Sequence, residues 1–300
     1  MRYLDPKADL TFKKVFGEHP DLVMSFLNAL LPLKADEDIT EIEYLPAEMV
    51  PSNPLRKNSI VDVRCKDVRG RQFIVEMQMI WSPEFKQRVL FNASKAYVRQ
   101  LSSGEQYELL QPVYSLNLVN ETFEPDLADY YHYYQLVHDK DSNKVIDGLH
   151  LVFVELQKFT PSTLSQKKMQ VLWLRYLTEI NDKTRAVPTE LAENPQIRKA
   201  LDALEESAFT PEQLLGYDKF WDMVSTEKTI INSSLRKGIK QGEEIGIEKG
   251  RKEGRKEGLE EGRNQERIRN ARRMKEKGFS SEDIADITGL SADEIKNLIE

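Results

Sequence analysis

Residues 60–80 read IVDVRCKDVRGRQFIVEMQMI, and this stretch decides the fold. In its first half Val61, Val63 and Cys65 alternate with Asp62, Arg64 and Lys66; in its second, Phe73, Val75, Met77 and Met79 alternate with Glu76 and Gln78. A period of two marks strands whose successive side chains face opposite sides. Between them, Val68-Arg69-Gly70 suits a three-residue hairpin loop with glycine in the left-handed position, which pairs Asp67 with Arg71. Counting outward one residue per strand, Asp62 falls directly opposite Glu76 on one polar face, with Cβ atoms roughly 4.5–5.5 Å apart. Gln78 sits two residues further along that face.

Two carboxylates directly across a hairpin repel each other unless a cation or a shared proton intervenes. A divalent ion is one answer, since hard oxygen ligands suit Mg²⁺ or Mn²⁺, which keep waters, bridge to phosphate and activate a nucleophilic water. The other is a solvated sheet face on which both acids pair with Arg64 or Lys66. Spacing alone leaves both open.

Working outward, apolar residues from Leu10 to Leu31 recur at helical spacing and predict two short helices broken near Gly17 to Pro20. Strand-like runs follow the hairpin at Pro112 to Val119 and Leu149 to Gln157, with an amphipathic helix from about Pro83 to Leu101 before them. This alternation predicts an α/β core. Beyond Leu164 the strand signal ends, and KKMQVLWLRYLTEI and PEQLLGYDKFWDMV read as helices, with Trp173, Tyr176 and Trp221 as core bulk.

Composition narrows the function classes. The chain has 300 residues and a net charge of −7, yet Leu235 to Gly278 holds 15 Lys and Arg against 9 Asp and Glu, so an acidic body carries a basic tail. One cysteine, Cys65, excludes an intrachain disulfide framework or a thiolate zinc site and points to a reducing compartment, the cytoplasm. The first residues hold no apolar stretch of signal-peptide length, and no run approaches the roughly 18 apolar residues of a membrane span. His19, His132, His138 and His150 lack the pairing for HNH or zinc chemistry, and Walker and GxSxG motifs are absent.

Glycine recurs at 238, 242, 246, 250, 254, 258 and 262. Each costs a helix about 1 kcal/mol relative to alanine, so the stripe reads either as a self-associating helix with closely approaching backbones or as a flexible charged linker. The last segment carries two N-cap signatures, Ser280 before Asp283 and Ser291 before Glu294, with Gly289 closing the first helix. It reads as a helix-turn-helix-like pair. Asp293, Glu294 and Glu300 against Lys296 make its second helix a poor phosphate-binding surface.

Asp62, the Glu76-Met77-Gln78 element and the helix after them resemble the D…(D/E)xK core of PD-(D/E)xK nucleases. The set also resembles the Rpn family of recombination-promoting nucleases, also grouped as transposases. The match includes Lys7-Ala8-Asp9, Phe12-Lys13, Val15-Phe16-Gly17, Arg88, Tyr97, Gln100-Leu101, Gly104, Tyr107, Pro112-Val113 and Val154-Glu155-Leu156-Gln157-Lys158-Phe159. The resemblance implies a restriction-endonuclease-like α/β core with a mixed sheet flanked by helices, and a helical C-terminal tail. It divides the chain into a nuclease core (1–160), a helical extension (161–235), the glycine-striped segment (236–264) and a terminal module (265–300).

The activity it implies is a Mg²⁺- or Mn²⁺-dependent DNA endonuclease that promotes recombination or acts in mobile-element or defence biology. The alternative is an impaired, nuclease-derived DNA- or protein-binding scaffold that oligomerises through its tail. Asp62, Glu76 and Gln78 are the implied catalytic residues, and Asp62, Glu76 and the Met77 carbonyl the implied metal ligands. Gln78 departs from the usual lysine, and Lys13 is a candidate replacement cation. Asp9 either supports the site or caps the first helix; Arg88 and Tyr97 either contact phosphate or pack. DNA and a second copy of the chain, through tail or core, are the expected partners. Glu155-Leu156-Gln157 repeats the ExQ pattern on what reads as a structural strand, since Asp141, the matching upstream position, falls in a polar turn-like stretch.

Overall fold

In a computed structural model, the structure describes residues 2–49, 59–161 and 168–297. Glu300 lies outside them. The chain divides into two compact units, Met1–Lys228 and Thr229–Glu300.

The first unit is built on a six-stranded mixed sheet in the order β1-β2-β3-β4-β6-β5. Its strands are β1 (Ile42–Tyr44), β2 (Val63–Asp67), β3 (Gln72–Gln78), β4 (Val113–Val119), β5 (Tyr131–His138) and β6 (Asp141–Glu155). β3, β4 and β6 run parallel and the other neighbours antiparallel. Helices α1 (Asp9–Glu18), α2 (Pro20–Leu30) and α4 (Lys168–Glu179) supply Phe12, Phe16, Phe26 and Trp173 to a cluster on one sheet face, with Val63, Val75, Leu116 and Val154. Helices α5 (Thr189–Glu193) and α6 (Pro195–Asp202) add Leu191 and Ile197 to the same cluster. Pro20 at the start of α2 has no amide hydrogen to leave unbonded there, which explains the break between the first two helices.

Helix α3 (Phe85–Val98) covers the opposite face through Ala93 and Ala96, small residues packed with Ile74 and Val113. Both faces of the central strands are therefore buried, as parallel sheets require. Glu76 is buried on the side covered by α3, which overturns for it the solvated sheet face that the alternation allowed.

The hairpin register holds where the ladder runs. Asp67 N donates to Arg71 O at 3.0 Å, Gly70 has φ of 81°, and Val63 pairs with Val75. Asp67 secures the loop, accepting from the amides of Arg69 and Arg71 and from the Arg71 guanidinium. The ladder ends at Val63, however, so the expected cross-strand pair of Asp62 and Glu76 is corrected: Asp62 lies in a bend before β2. Alternation fails there as well, because Val61 packs with Ile74 on the α3 side instead of sharing the face of Val63.

The stretch from Asp139 to Asn143 is another correction. Asp139 and Lys140 form the turn of the β5–β6 hairpin, and Asp141 begins a 15-residue strand. The first half of that strand is exposed and pairs only with β5, so it lacks the apolar alternation that marks a half-buried strand. Three-residue β1, an edge strand of intermediate burial, left little pattern to read.

Helix α7 is assigned to Pro211–Glu276, and the division between the units falls within it. The glycine stripe lies within this helix, and a Cβ added at any of the seven glycines would meet nothing within 4 Å. In the second unit, α8 (Ser281–Thr288) and α9 (Ala292–Asn297) close a small core of Ala271, Ile284, Leu290 and Ile295. Ser280 caps α8 and Gly289 ends it with φ of 65°. Arg267 donates to the Thr288 and Gly289 carbonyls, neutralising that helix terminus. Among the described residues no helix is long and apolar enough to cross a membrane.

Candidate metal centre

The bend at Asp62 turns its carboxylate toward β3, where Oδ2 accepts a 2.7 Å hydrogen bond from the Met77 amide. The other oxygen, Oδ1, lies 3.9 Å from Lys13 Nζ, a lysine on α1 that also pairs with Asp9 one helical turn earlier at 2.5 Å. Asp9 is the first residue of α1; the N-cap position belongs to Ala8, so Asp9 is not the cap. Burial raises the Asp62 pKa, opposed by the Met77 hydrogen bond and by Lys13.

Glu76 is 6% exposed on the α3 side of β3. Its Oε1 accepts from Asn92 Nδ2 at 2.9 Å, and Oε2 lies 3.7 Å from Arg88 NH2. Burial raises its pKa too; Asn92 and Arg88 oppose the shift, and the charge of Asp62 adds to it. Each carboxylate thus has one oxygen tied to an amide N–H, while its other oxygen has a cation nearby at 3.7–3.9 Å.

Gln78 Oε1 accepts from Arg88 NH2, and Gln78 Nε2 donates to the Ile80 carbonyl. The lysine-equivalent position therefore orients an arginine. Arg88 also lies over the Phe85 ring, 4.7 Å from its centroid. Asp62, Glu76, Gln78, Lys13, Asp9 and Arg88 are brought together, but Tyr97 is not. Its ring packs against Gly148 of β6. For Met77 the contact with Asp62 is made by the amide N–H, not by the carbonyl.

Asn92 was not anticipated. The signal was present: it shares the buried side of α3 with Phe85, Val89, Ala93 and Ala96, and a buried amide on such a face must find a hydrogen-bond partner.

The donor chemistry fits a hard divalent ion. Among the described residues no group of three or more His, Cys, Asp and Glu side chains converges, but Mg²⁺ is usually held by one or two carboxylates, with water and substrate phosphate completing its shell. Asp62 Oδ1 and Glu76 Oε2, each 3.7–3.9 Å from a cation, would be the oxygens to hold it.

The second ExQ triplet is built differently. β6 ends at Glu155, and Leu156–Lys158 form a 3₁₀ turn, so only the glutamate is on the strand. Glu155 Oε1 bonds with His132 Nε2 at 2.8 Å and accepts from Lys158 Nζ at 2.9 Å; Oε2 accepts from the Phe123 amide at 3.0 Å. Asp141, at the far end of the same strand, is roughly 45 Å away at about 3.3 Å per residue.

The family model for PD-(D/E)XK nuclease family transposases matches residues 6–233. The observed mixed α/β sheet flanked by helices agrees with that match. No curated protein and no solved structure matches the chain.

Proposed function

Since the chain belongs to the PD-(D/E)XK nuclease family transposases, we propose that it is a divalent-metal-dependent DNA endonuclease whose cuts serve recombination or the movement or restriction of mobile DNA. One observation carries the reading: two acids held in a buried setting, each fixed through one oxygen by an amide donor, with the second oxygen left for a cation.

Asp62 and Glu76 would hold Mg²⁺ or Mn²⁺. A bound ion supplies Lewis-acid activation of a phosphodiester and of its attacking water. Asn92 and the Met77 amide keep the two carboxylates in place, as hydrogen-bonded partners of metal ligands do. Lys13 and Arg88 bring positive charge to the two sides of the centre, where a phosphate's anionic oxygens need it. Gln78 cannot supply charge, and its part is to orient Arg88.

Plasmid DNA incubated with the protein and Mg²⁺ should be nicked or linearised, and Asp62→Ala should abolish this. Full activity in Asp62→Ala would remove this site from consideration. Failure of the wild-type protein to cleave any DNA with Mg²⁺ or Mn²⁺, with DNA binding retained, would instead mark a binding scaffold.

A further inference from the structure

Beside Glu76 the surface opens into a cleft of about 550 Å³ whose walls include Ile60, Glu84, Phe85, Arg88, Phe91 and Asn92. It shares residues with the carboxylate centre, because Asn92 donates to Glu76 and Arg88 approaches the other Glu76 oxygen. Its rim is mixed: Ile60 is 66% exposed and Phe91 43%, and Glu84, Gln87 and Arg88 reach water beside them.

Helix α3 continues this surface as a row of cations. Arg88 and Lys95 stand seven residues apart, within about 20° of one side of a helix with 3.6 residues per turn; Arg99 follows as the C-cap, and Glu84 precedes Arg88 as the N-cap. Lys95 Nζ lies 5.8 Å from the Phe91 ring centroid and donates to Ser59 Oγ at 3.4 Å. This basic row crosses a body that is acidic overall. An exposed aromatic face, a side-chain amide at Gln87 and a line of cations match a planar base with hydrogen-bonding edges on an anionic backbone. The volume is within the range of small-ligand clefts, about 300–1,000 Å³.

We propose that this cleft receives one unstacked nucleobase of the substrate strand, next to the phosphate that reaches Asp62 and Glu76. Phe91 and Ile60 flank the base, and Arg88 holds an adjoining phosphate. The proposal rests on the nuclease reading for the placement of that phosphate. Its consequence is a substrate preference: single-stranded, gapped or mismatched DNA over intact duplex, because an unpaired base is the easiest to displace.

The test uses full-length Asp62→Asn protein, which separates binding from cleavage, with Phe91 intact, Phe91→Ala or Phe91→Trp. Fluorescence anisotropy is read with labelled single strands, mismatched duplexes and fully paired duplexes, and 2-aminopurine in the single strand reports stacking. Single strands should bind more tightly than paired duplex, Phe91→Ala should weaken that binding about 5- to 150-fold, and Phe91→Trp should restore it. The 2-aminopurine signal should be quenched by the Phe91 and Trp proteins and not by the Ala protein. Melting curves check that the exposed substitution leaves the fold intact.

Equal single-strand affinity for the Phe91 and Ala proteins overturns the cleft. If Asp62-dependent cleavage is observed alongside that result, the nuclease reading survives it. If Phe91-dependent binding is found in a protein that cleaves nothing even with Asp62 intact, the cleft stands and the nuclease reading falls.

Discussion

Glu76 and Glu155 stand on the same face of one sheet, each two residues before a glutamine, and both are buried. Glu155 is surrounded: His132, Lys158 and the Phe123 amide occupy its oxygens, and Lys158 is further tied to the Glu124 and Leu127 carbonyls. Glu76 has one amide partner, a cation 3.7 Å away, and a second carboxylate, Asp62, whose charge works against its own. A buried charge with its partners in place is a brace, whereas a buried acid near another of the same sign is a setting that a bound cation would stabilise. The triplet is the same, and its surroundings differ.

The comparison breaks most sharply in activity. Asp62→Ala or Glu76→Gln should lower Mg²⁺-dependent plasmid cleavage roughly 10²–10⁴-fold, the equivalent of several kcal/mol of lost metal stabilisation. Glu155→Gln should cleave normally per folded molecule; if it is as dead as Glu76→Gln, the two glutamates are not distinct. Stability should reverse the order. Glu155→Ala leaves His132 and Lys158 without their acid and should cost about 3–5 kcal/mol in urea unfolding, while Glu76→Gln should cost nothing at neutral pH. A smaller effect is expected at Asn92, where Asn92→Ala should reduce metal affinity or cleavage about 10- to 100-fold, measured by Mg²⁺ titration of activity.

The least of these effects is thermal. The Asp62 and Glu76 pKa values are raised in the folded state, so the metal-free fold binds more protons than the unfolded chain above the ordinary carboxylate range. The stability contributed by that difference is fully present below the unfolded pKa and is lost as pH rises through the folded values. Added Mg²⁺ selects the ionised pair and should recover about 1.4 kcal/mol at ten times its Kd, more at pH 8 than at pH 5. Calorimetry showing the same Mg²⁺ shift at both pH values, or the same shift in Glu76→Gln, would contradict this.

Much of the architecture was legible locally. Gly70 and the alternation around it predicted the hairpin and its register, and Pro20 marked the break between the first helices. Ser280 and Gly289 likewise marked the ends of α8. The β5–β6 hairpin was not legible, because its exposed half carries no burial pattern. For the candidate site, the residues that come together were more legible than their geometry. Register extrapolation placed Asp62 opposite Glu76, but the strand ends one residue too soon, and the carboxylate turns to Met77 instead.

The sequence by itself determined the hairpin and the helical segments and supplied the acids of the proposed site, because turn chemistry and periodicity act over a few residues. Tertiary structure alone decided which glutamate is braced, that Asn92 reaches Glu76, that Gln78 orients Arg88, and that Phe91 borders a cleft. Those outcomes depend on where α3 docks and on which residues distant in the chain meet at the ends of β3 and β6, and no local pattern encodes such a meeting.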